Sequence, residues 1–215
     1  MTYLNIMNNV LRRLREEEVN SVTDSTYSKM AGDFINDAKT IVEQAADWSA
    51  LRDTVVISTV ADDNLYSLTG CGDDVKVMTA INDTQNCFMG YQTKDWFNDN
   101  IYVSDEVSGA PKYYTFNGLD SNGDTQILVN PKPDGVYSLR FDVVKRQTEL
   151  TLDGTELLVP EKPVIHLAVA LLARERGETG GTSTAEYFAI ADKYLSDAIA
   201  IDAAKHPEEM IFRTI

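Results

Sequence analysis

Any acid–base, metal or nucleophilic chemistry in this chain must be drawn from two histidines, two cysteines and 34 carboxylates. His166 falls within a helical pattern, with no second histidine one turn away. It reads as a helix-face or core histidine rather than a ligand. His206 stands at a helix end, where a partly protonated imidazole meets the negative pole of the dipole. Cys71 and Cys87 have no evident partner base and are too far apart for a zinc knuckle, so they read as core or buried thiols. Asp120-Ser121-Asn122-Gly123-Asp124 opens like a calcium loop. Thr125 stands where the EF-hand glycine belongs and Pro131 where its bidentate glutamate belongs, so the segment reads as a hairpin turn. Gly177 to Ser183 is glycine-rich before a helix but lacks the lysine of a phosphate-binding loop, and reads as an interhelical turn. No H-E-x-x-H or G-x-S-x-G run occurs, and no carboxylate pair stands out as general acid and base. Neither an enzyme nor a cofactor or metal site is expected.

Two groups of side chains suit recognition instead. The last nine residues, Pro207 to Ile215, carry Met210, Ile211, Phe212 and Ile215 on a terminal segment. Terminal segments are usually polar. This one is expected either to fold back on its own domain or to dock on another chain, as an added strand or in a groove. Tyr91, Trp96, Phe97 and Tyr102 make either core and hairpin packing or an outer-face platform for a carbohydrate or protein ligand.

Composition narrows the partners. Nineteen basic against 34 acidic residues leave a net charge of −15. Grip on a phosphate backbone depends on cation-driven counterion release, so broad nucleic-acid binding is not expected. A hydrophobic content of 43% suffices for a packed core. No apolar run approaches the length of a membrane span, and the first residues lack the pattern of a signal peptide. Synthesis and folding in a cytoplasm are the expectation.

The elements that hold these residues read in three blocks. Leu4, Met7, Leu11 and Leu14 predict a short helix over 2–17, fraying at Glu16-Glu17-Glu18. Tyr27, Met30, Phe34, Ala38, Ile41, Ala45 and Trp48, widened by Ile35 and Val42, predict a long helix from Asp24 or Ser25 to Leu51. At about 27 residues it would span about 40 Å. After Arg52 the β-branched texture predicts strands over 54–60, 65–68, 75–81, 112–116, 125–129 and 136–144, with a helical turn possible in 92–98. Their turns fall at 62–64, 70–74, Asn117-Gly118, 120–124 and 133–135. From Pro160 the helical period returns. Val164, Leu167, Leu171 and Arg174 make one stripe, and Gly177 ends that helix. Ser183 and Glu186 form a capping box for a last helix striped by Tyr187, Ile190, Ala191, Tyr194, Ala198 and Ile201.

The fold class is therefore α+β. N- and C-terminal helix pairs pack as one antiparallel bundle, with a small antiparallel β-sandwich or barrel-like domain inserted between them. The expected division is 1–52 and 159–206 for the bundle halves, 53–158 for the β domain, and 207–215 for a docking tail.

This layout resembles the head-to-tail adaptor proteins of tailed bacteriophages, also called connector, head-completion or tail tubular A proteins. The likeness rests on element order and short phrases over nearly the whole chain. Ala45-Ala46-Asp47-Trp48-Ser49-Ala50-Leu51-Arg52 is similar to the family's tryptophan at the bundle-to-sheet junction. Gly109-Ala110-Pro111-Lys112-Tyr113-Tyr114 resembles its Gly-x-Pro-x-Tyr strand entry. Ile127 to Asp134, followed by Tyr137-Ser138-Leu139, resembles its Pro-x-Pro hairpin, and Leu157-Leu158-Val159-Pro160 its entry into an alanine-rich helix pair. Ser67-Leu68-Thr69 and Gln147 to Glu149 lack prolines that the family often carries there.

The resemblance implies a structural virion protein of the neck. It would form a homo-oligomeric ring, usually of twelve subunits, beneath the portal protein. That ring extends the DNA channel and gives a tail nozzle or tail tube protein its platform. Met210, Ile211, Phe212 and Ile215 would then dock on the portal or a neighbouring subunit, and DNA would pass without specific binding. The residue-level alternative is a virion binding module that uses the β domain for a carbohydrate or protein ligand.

Overall fold

The computed structural model describes residues 1–103, 107–177 and 183–205, with the side chains of Tyr102, Ser183 and Thr184 outside the description. In chain order the elements are α1 (Tyr3–Arg13), α2 (Thr26–Gln44), a 3-10 turn (Ser49–Leu51), β1 (Arg52–Ser58), β2 (Leu65–Ser67), β3 (Val75–Asn82), β4 (Cys87–Phe88) and β5 (Gly90–Tyr91). They continue as α3 (Lys94–Asn98), a π turn (Asp99–Val103), β6 (Tyr113–Leu119), β7 (Thr125–Asn130), β8 (Ser138–Lys145), α4 (Glu161–Glu175) and α5 (Ser183–Ala203). Among the described residues the chain is thus α+β, with five α-helices and two sheets. It divides into two compact units: Met1–Ala50 with the chain from Gln147 onward, and Leu51–Arg146.

In the helical unit, α1 buries Tyr3, Ile6, Met7, Val10 and Leu11. That stripe is broader than the expected one, and Leu4 lies at its half-exposed margin. The helix stops at Arg13, four residues before the expected end. Arg15 takes a left-handed φ of 60°, and the acidic run beyond escapes the negative helix pole. Glu18 instead meets Arg12 at 2.8 Å and Glu16 meets Arg176 at 2.7 Å.

Helix α2 differs from expectation in length and in its buried face. Ser25 caps it by accepting from Ser28 N, while the Ser28 hydroxyl lies within reach of Ser25 N, a reciprocal box. It ends at Gln44, so it spans about 28 Å rather than 40 Å. Trp48 does not extend the stripe. Its indole N–H donates at 2.7 Å to the Val42 carbonyl, which also accepts the Ala45 amide at 3.2 Å, so both close the end of the helix. The buried face carries Ser28, Ala31, Gly32, Ile35, Ala38, Lys39, Val42 and Glu43. The bulkier Tyr27, Met30 and Phe34 sit half-exposed beside it, and Ile41 is exposed. Small residues decide this orientation, because they let a neighbour approach. A Cβ on Gly32 would stand 2.4 Å from the Tyr3 hydroxyl.

Residues 147–158 pack with the helices, whereas the sequence pattern placed them with the strands. The reason lies in the start of α1, where Thr2 makes no side-chain cap. Its first amides find acceptors in this segment: Tyr3 N donates to Thr155 O at 2.8 Å and Leu4 N to Asp153 O at 3.1 Å. Asn36 on α2 brackets Leu150, donating to its carbonyl and accepting from its amide at 3.2 and 2.9 Å.

Helix α4 is buried nearly all round, against α1, α2 and α5. Its alanines at 168, 170 and 173 allow that close approach on several sides. Leu167, expected in the stripe, is half-exposed. Gly177 follows α4 with φ 66°, a backbone state that glycine enters without a Cβ penalty.

In the strand unit, one sheet has the order β1-β8-β3-β4, antiparallel throughout, with Arg52 opposite Val144 and Ser58 opposite Ser138. Strand β8 alternates cleanly: Leu139, Phe141 and Val143 are buried while Ser138, Arg140 and Asp142 are half-exposed. The other sheet has the order β2-β7-β6-β5. Its edge strand β5, too short to read from sequence, pairs parallel with β6, Tyr91 opposite Tyr114. Leu68, Ala80, Met89, Tyr114, Ile127, Val129, Leu139, Phe141 and Val143 join one apolar cluster. Asn117-Gly118 is not the expected turn. Strand β6 runs through it with an irregularity between Phe116 and Leu119, where Gly118 has φ 88°, and the chain reverses at 120–124.

Candidate assembly surfaces

Among the described residues, Asp120, Asp124, Cys71 and His166 are engaged by the fold. Asp124 accepts the Gly70 and Gly72 amides at 3.0 and 2.9 Å, and Asp120 accepts those of Asn122 and Asp124 at 2.8 and 3.0 Å. Those bonds hold both carboxyls below their usual range. The calcium-like run is thus a hairpin clasp, as its residues predicted. Cys71 is buried and Cys87 half-buried. Burial pushes the Cys71 thiol pKa up, which disfavours the nucleophilic thiolate. His166 is stacked on Tyr194 with centroids 4.4 Å apart, and its Nε2 lies 3.4 Å from Arg13 Nη1. Burial, then Arg13 and Lys162, lower its pKa and favour the neutral ring. Among the described residues, no cluster of three or more His, Cys, Asp or Glu is arranged to hold a metal ion. No helix of the described residues is long and apolar enough to cross a membrane.

The aromatic platform is only partly assembled. Tyr91 is exposed and packs on Tyr114 and Phe116 at 5.8 and 6.0 Å. Trp96 belongs to a second group, 5.4 Å from Phe97 and 4.9 Å from Tyr113. Phe97 is fully buried and cannot serve an outer face, which corrects the expectation for that residue. Its position follows from Thr93, whose hydroxyl accepts Trp96 N and starts α3. The side chain of Tyr102 lies outside the described residues, as do Met210, Ile211, Phe212, Ile215 and His206.

Two helix faces of the helical unit carry exposed or half-exposed apolar side chains in a row. The first is the outer flank of α2, with Met30 and Phe34 half-exposed and Ile41 45% exposed. The second is α5, where Ile190, Tyr194 and Ile201 fall within about 40° on one stripe and are 41%, 38% and 67% exposed. The α5 stripe matches the expected spacing but does not find the expected cover, and among the described side chains of α5 only Ala191 is buried.

Two polar devices escaped the sequence reading. Lys39 Nζ donates to both Glu43 oxygens at 3.2 and 3.3 Å and to Gln147 O at 2.7 Å, at 2% and 1% side-chain exposure for the pair. Asp202 on α5 accepts Ser49 N at 2.8 Å and the Ser49 hydroxyl at 2.6 Å. The i, i+4 spacing of Lys39 and Glu43 was a visible signal, but such pairs usually face water.

A search of curated proteins finds no match to this chain. The sequence model of one family, described as SU10 adaptor protein, matches residues 1–209. With that match over nearly the full length, the protein belongs to the SU10 adaptor protein family, a phage head-to-tail adaptor-type family of structural virion components.

Proposed function

We propose that this chain forms a ring, dodecameric as is usual for such adaptors, that binds beneath the portal in the virion neck. The ring extends the DNA channel and offers the platform to which a tail nozzle or tail tube attaches. It is made in the bacterial host cytoplasm and acts without catalysis or cofactor. In this reading the N- and C-terminal helices form one antiparallel bundle that builds the ring and its lumen. The strand unit is an inserted sandwich turned outward or toward the tail. Met210, Ile211, Phe212 and Ile215 dock on the portal or on a neighbouring subunit.

One observation carries the subunit contact. Helix α2 is apolar on two faces, and among the described residues only one of them is fully buried. Met30, Phe34 and Ile41 on the other suit side-by-side packing against a second copy. The charge then has a role. Twelve copies at −15 each bring about −180 formal charges, screened by salt, so DNA sliding through the lumen meets no cationic trap.

Sedimentation velocity tests this on the chain alone and mixed with the portal protein of the same genome. The expected result is a large stoichiometric complex with portal, weakened when residues 207–215 are deleted. A chain that stays monomeric and ignores the portal overturns the reading. The second reading, a ligand-binding module, is favoured by the exposure of Tyr91 beside Phe116. It requires that Tyr91→Ala abolish binding to a carbohydrate or protein ligand while portal association is unchanged.

A further inference from the structure

His166 is the one histidine among the described residues, and histidine is the side chain whose ordinary pKa lies nearest neutrality. Three helices meet on it. It stands on α4, its Nε2 faces Arg13 Nη1 of α1 at 3.4 Å, and its ring is stacked on Tyr194 of α5 with centroids 4.4 Å apart. Arg13 is the last residue of α1, so the contact ties the C-terminal end of that helix to α4. An arginine guanidinium can only donate. The contact therefore requires a lone pair on Nε2, which puts the proton of the neutral ring on Nδ1.

We infer that His166 is an acid-sensitive latch, which holds the C-terminal end of α1 on α4 while neutral and releases it when protonated. A protonated ring has no acceptor left. It turns an N–H toward the guanidinium and sets two positive charges beside each other. Lys162, one turn earlier on α4, adds a third. Tyr194 presents a ring face, which attracts a cation, so the stack with α5 survives protonation. Around the end of α1, Arg12 is engaged by Glu18 and Glu16 by Arg176. Two acids, Glu161 on α4 and Asp197 on α5, line a groove together with Lys162 and Tyr194. Burial, Arg13 and Lys162 still hold the imidazole pKa below its ordinary value, so they outweigh those acids. The sign follows. The latch contributes in full above the unfolded pKa of about 6.5, and its contribution falls away as pH drops from there to the folded value. Release stays local, because Val10 and Leu11 remain packed in the core.

The test follows the ring protons of His166 by NMR in the full-length chain, with His206→Gln to leave one histidine signal. In Arg13→Met the titration midpoint should rise by at least about half a pH unit. Between pH 7 and pH 5 the amides from Val10 to Leu14 should lose about threefold or more in hydrogen-exchange protection, corrected for the intrinsic rate. The α5 amides beside Tyr194 should keep theirs. His166→Gln, whose side-chain oxygen accepts from Arg13 at either pH, should abolish the loss, with the far-UV circular dichroism unchanged. Equal midpoints with and without Arg13 overturn the inference, and so does unchanged protection in the wild-type chain. A loss that persists in His166→Gln also overturns it, since the acid-sensitive group would then lie elsewhere.

Discussion

Helices α4 and α5 are neighbours in the chain, pack against each other and are both rich in alanine, yet they meet opposite fates. Helix α4 also touches α1 and α2, and buries Pro163, Val164, Ile165 and the run from Ala168 to Ala173. Helix α5 buries Ala191 alone among its described side chains and leaves Ile190, Tyr194 and Ile201 in the open. Apolar periodicity identifies a helix and the side that wants cover. It does not say whether the cover comes from the same chain. Among the described residues α4 is the hub of the helical unit, while α5 keeps most of one apolar stripe exposed.

The sharpest test of the interior side is Lys39→Ala. It leaves the Glu43 carboxylate buried without the ammonium 3.2 Å away, and also strips the Gln147 carbonyl of a donor. A loss of about 3–5 kcal/mol in unfolding free energy is expected from urea denaturation. Lys39→Met/Glu43→Leu should recover most of it, because the apolar pair removes both charges together. A loss below about 1 kcal/mol for Lys39→Ala would break the claim that this face is closed to water. Next is Leu172→Ala in the last turn of α4, where the residue has no exposure. The expected cost is about 2–5 kcal/mol, from lost transfer energy and the cavity left behind.

Much of this contrast was legible in the residues, and its limits have physical causes. Element order, the hairpin clasp at 120–124 and the glycine stop at Gly177 follow from local chemistry. Turn and cap preferences act over a few residues, so the pattern carries them. The buried face of α2 was misjudged because hydrophobic size was taken as the guide. Close approach through Ala31, Gly32 and Ala38 decided it, and closeness depends on Tyr3, which is 29 positions away. The early end of α2 was hidden because Trp48 fits the helical spacing, while its indole is used to close the helix. Strands β4 and β5 are two residues each and leave no alternation to detect. Of the expected platform, Tyr91 kept its exposure, and Phe97 was lost to a helical turn that sequence left open.

Asp202 sharpens the comparison from the α5 side, as the residue by which this exposed helix is tied to the Ser49 turn. Burial raises its pKa, but the Ser49 hydroxyl and amide and the Lys205 ammonium outweigh that, and the net shift is downward. A carboxyl whose folded pKa is depressed contributes stability above the unfolded value of about 3.9, and loses it as pH falls through the folded value. Asp202→Asn should therefore cost about 1–3 kcal/mol near neutral pH. The gap to wild type should close as pH falls below about 4. A gap that is independent of pH would mean that the hydrogen bonds act without the charge.

The smallest effect is expected at Ile201→Ser, and its smallness is the point. With 67% of the residue exposed, the folded subunit gains little from this isoleucine. Its loss should change the unfolding free energy of the free chain by no more than about 0.5 kcal/mol. The same size of apolar side chain thus costs severalfold less than Leu172, although both are branched aliphatic residues of adjoining helices. A cost near that of Leu172→Ala would show that α5 is covered in the free subunit as firmly as α4. That cover would have to come from the ten residues beyond Lys205 or from a second copy. Repeating the measurement over a hundredfold range of protein concentration separates the two, because an intramolecular cover leaves stability unchanged while a second copy makes it rise with concentration.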